Sequence, residues 1–544
     1  MTPIGESAAD VVVVGAGAAG CVLAARLVVA GRTVLLLESG ADSDALENRL
    51  STPGTLDPSA DWGLVAEVVG TGTRVRLPRV RAVGGTSLLQ GGIALRGLPA
   101  DHDRWGAVAG PQWSHQGQLP FLRRLEHDED ATSPSHGTGG PVRIRRARPD
   151  EHQPLHRAFL DGCAELDLPW CDDLNSQVTT GFGLMPLARH GTRKVTARSA
   201  YLTPHRHDPR LRIRPGTHVV QVRTRGCGVH AVDTVDAAGR PHTYEAGTVV
   251  LAAGAVGSPL VLMRSGIGDP EALRAAGRPV RHALPGVGCG VRDHPATWTT
   301  FSLDEAGRGP DPLWFQVMLR HFRAEPTDQG APGAAAGDST RGDAAPGGLP
   351  DFAVEVFHDF RLLPSATAYR RGVLVVSLLE PRGTGRVRLS RDAADPVGGS
   401  VELDYGDPED VAGLLAATLF GHRLLGSEAI RGLGIDRAQL VSVAGHGGFA
   451  PPGTPRWFAL RTHRPGADTI RRAATTSHHL HGGCPMGPSD DPLAVVDERC
   501  GVHGVPGLYV ADASVMPTLL RSNTHLLALS VGERVAALLS TEAR

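Results

Sequence analysis

The sequence predicts an α/β chain, α+β overall, in which a domain built on a parallel sheet is interleaved with a domain built on an antiparallel sheet plus helices. Three observations carry this. Short apolar runs occur at 11–20, 246–254 and 507–512, the first two ending in glycine turns, as parallel strands buried on both faces require. Between them lie stretches of period-two alternation, such as Arg386–Leu389 (RVRL) and Ser400–Leu403 (SVEL), which suit an antiparallel sheet with one covered face. The chain has 544 residues, too many for one ordinary domain.

Residues 11–38 read as one βαβ unit. Val11–Val14 is an all-valine strand, Gly15–Gly20 a turn, Cys21–Ala30 a helix closed at Gly31, and Thr33–Leu37 a second strand. Residues 246–254 (AGTVVLAAG) and 507–512 (GLYVAD) repeat the strand-then-turn pattern, and a helix is expected from about Leu526 to Leu539. If these pieces share one sheet, the domain is discontinuous: 8–145, 190–295 and 478–544, with 146–189 and 296–477 forming the second domain. Residues 328–350, rich in Gly, Ala, Pro and Asp, are expected to be a mobile loop. A plain insertion is the first reading of that loop, and a cover over a site entrance the alternative.

The turn Gly15-Ala16-Gly17-Ala18-Ala19-Gly20 has GxGxxG spacing between a strand and a helix, the context of a Rossmann-type dinucleotide site. Gly15 permits the tight turn, Gly17 lets the backbone approach a pyrophosphate, and Gly20 lets helix and strand pack closely. Glu38 ends the second strand, 23 residues beyond Gly15, where an acid accepts hydrogen bonds from ribose hydroxyls and disfavours a 2′-phosphate.

Composition excludes several classes. A formal net charge of −2 gives no basic footprint for nucleic acid. No apolar run approaches the roughly 18 residues of a membrane span, and the N-terminus lacks a signal pattern, so a cytoplasmic protein is expected. The seven cysteines are scattered without a CxxC pair, which argues against a disulfide framework or zinc site. Glu126–Asp130 (EHDED) is expected to be a solvated helix end rather than a metal site.

Five further segments identify a family resemblance. Residues 81–97 read RAVGGTSLLQGGIALRG, followed by PADHDRW; 254–268 read GAVGSPLVLMRSGIG; 284–295 read LPGVGCGVRDHP; 382–389 read RGTGRVRL; and 506–517 read PGLYVADASVMP. In this order they resemble the signatures of the glucose–methanol–choline (GMC) oxidoreductases over about residues 10–540. The resemblance implies FAD. The ADP part would lie on Gly15, Gly17, Gly20 and Glu38, with Val219 towards the adenine. The isoalloxazine would lie near Gly84, Gly85, Ser87 and Gln90, approached by Asp512 and Ala513. Gln90 stands where the family usually has Asn. Leu89 stands where some members carry a His that attaches the flavin, so non-covalent FAD is expected. Asp293-His294 is expected to be structural, near the cofactor.

Alcohol oxidation requires a base for the hydroxyl proton and an acceptor for the carbinol hydride. Histidine suits the base, and context selects two of the 24. Residues 478–487 (HHLHGGCPMG) resemble the family segment that carries its catalytic histidine, which places His479 on that role, with His478 and His481 as near neighbours. Residues 517–525 (PTLLRSNTH) resemble the segment before the last helix, and the resemblance is read as placing the second catalytic position on His525. A charged histidine near reduced flavin would favour superoxide formation. Asn523 is expected to hold the turn.

The expected function is therefore FAD-dependent oxidation of a small alcohol, with O2 or another acceptor regenerating the flavin. The alternative is a hydroxynitrile-lyase-like enzyme without net redox, whose motif shares the HxHGGC detail of His479–Cys484. Apart from Lys194, every basic side chain other than histidine is Arg, and with abundant Ala, Gly, Val and Pro this points to a GC-rich genome. By family analogy alone, the resemblance extends to a primary hydroxyl of a small polar or sugar-like molecule, such as an aminoglycoside intermediate in antibiotic biosynthesis.

Overall fold

The computed structural model describes residues 9–541 except 52–56, 178–179, 304–314, 322–349, 359–370, 391–396, 443–457 and 460–464. The loop expected at 328–350 lies outside the described residues, Pro350 excepted.

Strands Val11–Val14, Val34–Leu37, Leu211–Arg214, Val249–Leu251 and Leu508–Val510 form one five-stranded sheet. Every pair in it is parallel. The widely separated runs therefore share one sheet, as expected. Val11–Val14 is central, with Val34–Leu37 on one side and Val249–Leu251 on the other. The chain order reverses there, and in open α/β sheets ligands bind at the C-terminal strand ends beside such a point.

The first helix, Ala18–Val29, begins directly after the turn. Gly15 has φ +97°, and a Cβ on Gly20 would sit 1.9 Å from Gly15 O, so strand and helix approach to a distance only glycine tolerates. The last helix, His525–Thr541, packs across the first; its buried Glu533 accepts hydrogen bonds from Arg26 Nε at 2.8 and 2.9 Å and from Tyr201 Oη at 2.9 Å. This pairing compensates a carboxylate that would otherwise be costly to bury.

A second, antiparallel sheet includes Pro295–Ser302, Arg371–Leu378, Phe352–His358, Val317–His321 and Gly181–Leu184 as adjacent strands. One face buries Leu319, Val354, Val356, Leu374 and Val376 against helices Pro154–Glu165 and Pro408–Leu425. The other face turns towards the parallel-sheet domain.

Two expectations are corrected. The strands Arg386–Leu389 and Gly399–Asp404 pair antiparallel, but they belong to a separate four-stranded sheet with Val65–Val69 and Thr73–Arg76. Val387, Val401 and Leu403 bury in the same core as the parallel strands, which decides their partner. Glu126–Asp128 is a strand, not a solvated helix end. Both acids are buried and paired, Glu126 with Arg96 and Asp128 with Arg146 at 2.7 Å, and His136 stands 3.2 Å from Glu126 and 3.3 Å from Asp128. No group of acids, histidines or cysteines among the described residues could hold a metal ion.

Candidate active site

A cavity of about 420 Å³ runs from the glycine turn to the antiparallel sheet. At its nucleotide end, Gly15 and Gly17 line the wall, and the first helix presents its N-terminus there without a side-chain cap. The free N–H groups and positive end of such a helix suit a pyrophosphate. Glu38 is buried, and its carboxylate accepts the backbone N–H of Ala16 at 2.9 Å and of Gly40 at 2.8 Å. Burial pushes its pKa up to about 7, and the bonds from Gly40 and Ala16 oppose that rise. Val219 lines the same end. Beside it, His218 Nδ1 lies 3.1 Å from Ser39 Oγ, next to Glu38.

The middle of the cavity is shaped by the 84–90 loop. Gly84 donates its N–H to Ala16 O at 2.7 Å, tying this loop to the glycine turn. A Cβ on Gly85 would stand 2.7 Å from Gly17 Cα. Ser87 Oγ donates to Gly84 O at 2.6 Å and accepts from Ala197 N at 3.0 Å, so its hydroxyl holds the loop shape. Gln90 Oε1 accepts from Gly92 N at 2.6 Å, while its buried Nε2 has no hydrogen-bond partner. Lys194, the chain's only lysine, donates to Leu88 O at 2.6 Å and Gln90 O at 2.8 Å. Burial pushes its pKa down to about 7. Sequence reading noted this lysine only as a compositional oddity.

Asp512 and Ala513 enter from the fifth parallel strand and line the cavity. The Asp512 carboxylate accepts from Gly254 N at 2.8 Å, Ser258 Oγ at 2.6 Å and Ser514 N at 2.8 Å. It thereby joins the end of that strand to the helix Gly254–Arg264. Gly20 and Gly84 support the wall through contacts rather than forming it.

At the far end stand the histidines. His479 Nδ1 is 2.9 Å from His294 Nδ1, and His479 Nε2 is 2.8 Å from Asn523 Nδ2. Asp293 fixes this group from behind. Its carboxylate accepts from His479 N at 2.9 Å, His294 N at 2.9 Å and Tyr405 Oη at 3.0 Å, and from the hydroxyl of Thr476. The side chain bonded to His479 is therefore Asn523, not His525. His525 is the first residue of the last helix and lines the same cavity two residues further on. His481 is buried without lining the cavity, whereas His478 lines it beside His479.

The turn that carries Asn523 is clamped by the PADHDRW segment. That segment starts the helix Pro99–Ala109, whose Trp105 Nε1 donates to Thr518 O at 3.0 Å and whose Arg104 donates to Leu519 O at 3.3 Å. Asp101 accepts from Arg521 N at 2.9 Å and pairs with the Arg521 guanidinium.

Burial holds the His479 pKa well below the ordinary histidine range, and His294, His478 and Arg79 push it the same way. Burial also pushes His294 down to about 4, and burial with Lys194 does the same to His525.

A glycine turn, an acid at the ribose position and a histidine pair whose His479 lines the same cavity define a dinucleotide-dependent oxidoreductase. Residues 9–296 match the N-terminal part of the GMC oxidoreductases and residues 381–532 the C-terminal part; the chain belongs to this family. It is 31% identical to a glucose dehydrogenase [FAD, quinone] of Drosophila pseudoobscura pseudoobscura, covering 97% of this chain and 86% of that protein. It is 30% identical to an oxygen-dependent choline dehydrogenase of Staphylococcus saprophyticus, covering 97% and 94%. Among solved structures, pyridoxine 4-oxidase from Mesorbium loti superposes with a TM-score of 0.82 at 28% identity, covering 99% of this chain and all of that one. The protein is thus an FAD-dependent oxidoreductase acting on CH–OH groups. The cradle fits FAD: Gly17 and Gly85 close to a distance a side chain would block, and Gln90 Nε2 offers an unused donor. Leu89 lines the cavity without a nucleophile, and the FAD is non-covalent. Among the described residues, no helix is long and apolar enough to cross a membrane.

Proposed function

We propose that the protein oxidises a hydroxyl of a small polar alcohol to the carbonyl, with His479 as base and Asn523 as its partner. The observation that carries this is the contact chain Asn523–His479–His294, opening on the cavity that begins at the dinucleotide turn. Bound FAD supplies the acceptor for the carbinol hydrogen, transferred as hydride.

The chain's own residues set the proton. The Asn523 amide donates to His479 Nε2, which leaves His479 Nδ1 to donate to His294 Nδ1. His479 then carries its proton on Nδ1, and its Nε2 lone pair faces the cavity side, held by the Asn523 amide. A substrate hydroxyl donating to Nε2 takes the place of Asn523, whose amide then donates to the same oxygen. The depressed pKa of His479 favours the neutral ring, the form that can accept a proton. His525 completes the wall as a neutral ring. Glu38, Gln90, Asp512 and the glycines of the two loops would hold the FAD, with Val219 at the adenine end.

The relatives' names give choline, glucose and pyridoxine, which supports a small polar substrate. The test is anaerobic mixing of the flavin-loaded protein with choline, benzyl alcohols, hexoses and aminoglycoside pseudo-sugars. Bleaching by one class, with the aldehyde or ketone recovered, is the expected result. Rapid recolouring in air would mark an oxidase and slow recolouring a dehydrogenase. Cyanohydrin cleavage without bleaching would overturn the proposal.

A further inference from the structure

The antiparallel sheet floors the substrate end of the cavity, and one residue there is out of keeping with a sheet interior. The strand register sets Met318 opposite Glu355, Glu355 opposite Val375, and Val375 opposite Trp298. Directly paired residues share a face, so these four side chains form one row. Trp298, Val375 and Glu355 all line the cavity. Phe315 and Phe357 stand edge to face at 4.7 Å on the same wall. Glu355 is thus a carboxylate set among aromatic and aliphatic groups, with buried Met318 and Val375 as its cross-strand neighbours.

The fold does not account for it. An apolar residue at this position would stabilise the sheet, because a carboxylate loses hydration there without compensation. The buried acids elsewhere are compensated: Glu126 by Arg96, Asp128 by Arg146, Glu533 by Arg26. Among the described residues no cation or hydrogen-bond donor pairs with Glu355, and burial alone pushes its pKa up to about 7. Glu355 is half-buried and lines the cavity.

We propose that Glu355 determines specificity, and that the substrate is an alcohol carrying a protonated amine, which Glu355 receives while the hydroxyl meets His479. This rests on the reading of His479 as the site of alcohol oxidation. An ammonium with N–H donors satisfies the carboxylate's lone pairs as well as its charge, and the aromatic wall of Trp298, Phe315 and Phe357 suits a cation beside it. The register also separates the two ends. Ser377 Oγ lies 2.9 Å from Ser477 Oγ, two residues before His479, and Ser377 pairs with Ala353, two residues before Glu355. Glu355 is therefore a diagonal cross-strand step, about 7–8 Å, from the serine that meets the His479 segment. The amine and the hydroxyl sit at opposite ends of the substrate.

The test compares 4-(aminomethyl)benzyl alcohol with 4-methylbenzyl alcohol, matched in shape and different in charge. Each is titrated anaerobically into the flavin-loaded protein, with binding read from perturbation of the flavin spectrum and turnover from its bleaching. The wild type should bind the amine roughly 10- to 100-fold more tightly, the range of a hydrogen bond to a charged group. The preference should collapse towards unity in Glu355→Gln. It should also vanish in the wild type when the amine is acetylated, a control that needs no variant. Equal affinity for the two alcohols in the wild type, or an undiminished preference in Glu355→Gln, would overturn the proposal. Selective binding through Glu355 without bleaching by any alcohol would uphold this carboxylate's role and sink the alcohol-oxidation reading instead.

Discussion

Replacing Asn523 by Ala separates the two residues that compete for the role of partner to His479. The Asn523 amide lies 2.8 Å from His479 Nε2, whereas His525 shares the cavity from the start of the last helix. Removing a donor aimed at a reacting oxygen in a closed site costs roughly 10²–10³ in rate. At about 1.36 kcal/mol per decade, that is roughly 2.7–4 kcal/mol of barrier. Because Asn523 is only half-buried, its ground-state hydrogen bond contributes far less, on the order of 1 kcal/mol of stability. The assay is stopped-flow flavin reduction under anaerobic conditions, using any alcohol that bleaches the wild type. Asn523→Ala should keep its FAD and its melting temperature to within a few degrees while losing reduction by that factor. His525→Ala should lose substantially less. Equal or greater loss in His525→Ala would refute the geometric argument and return the partner role to His525.

Three further outcomes are expected. In Gly17→Val the fold should survive and the cofactor should not. The nearest atom to a Cβ at Gly17, among those other than its chain neighbours and its own helix, is Ala252 O at 3.9 Å, so the new side chain points into the space a pyrophosphate needs. Flavin absorbance per chain and a thermal melt measure the two separately, and a fully flavinated variant contradicts the placement. The pH profile of flavin reduction should stay flat as pH falls through about 6.5, the ordinary histidine value, because a depressed pKa keeps His479 neutral and able to accept a proton. Asn523→Asp should shift the acid limb upward, since a carboxylate at that contact favours the charged ring; a wild-type acid limb at or above 6.5 contradicts the assignment.

The parallel sheet and the nucleotide turn were legible because their signals are local. Four valines followed by GxGxxG encode a buried strand, a positive φ and a helix start within ten residues. His479 was legible through the segment around it. What escaped depends on contacts distant in sequence. In the NTH segment, the resemblance pointed to the histidine, yet the side chain that reaches His479 is set by how Arg521 and the preceding turn are clamped onto Asp101, Arg104 and Trp105. His294 was read as structural, and only the packed structure sets its ring against His479. Alternation at Arg386–Leu389 identified a strand but not its neighbours, which come from Val65–Arg76. Glu126 and Asp128 looked solvated because their partners, Arg96, His136 and Arg146, belong to other segments. The cavity-facing direction of Glu355 follows from a register across three strands, which no single segment carries.

The most direct measurement is single-turnover reduction of bound FAD by an alcohol in wild type and His479→Ala, mixed anaerobically at neutral pH with matched flavin content. The account predicts that the wild type bleaches and yields the carbonyl, and that His479→Ala retains FAD but reduces it roughly 10²–10⁴ times more slowly, the span of a lost general base. Undiminished reduction in His479→Ala would show that the proton leaves by another route, and the contact chain from Asn523 to His294 would not be the catalytic one.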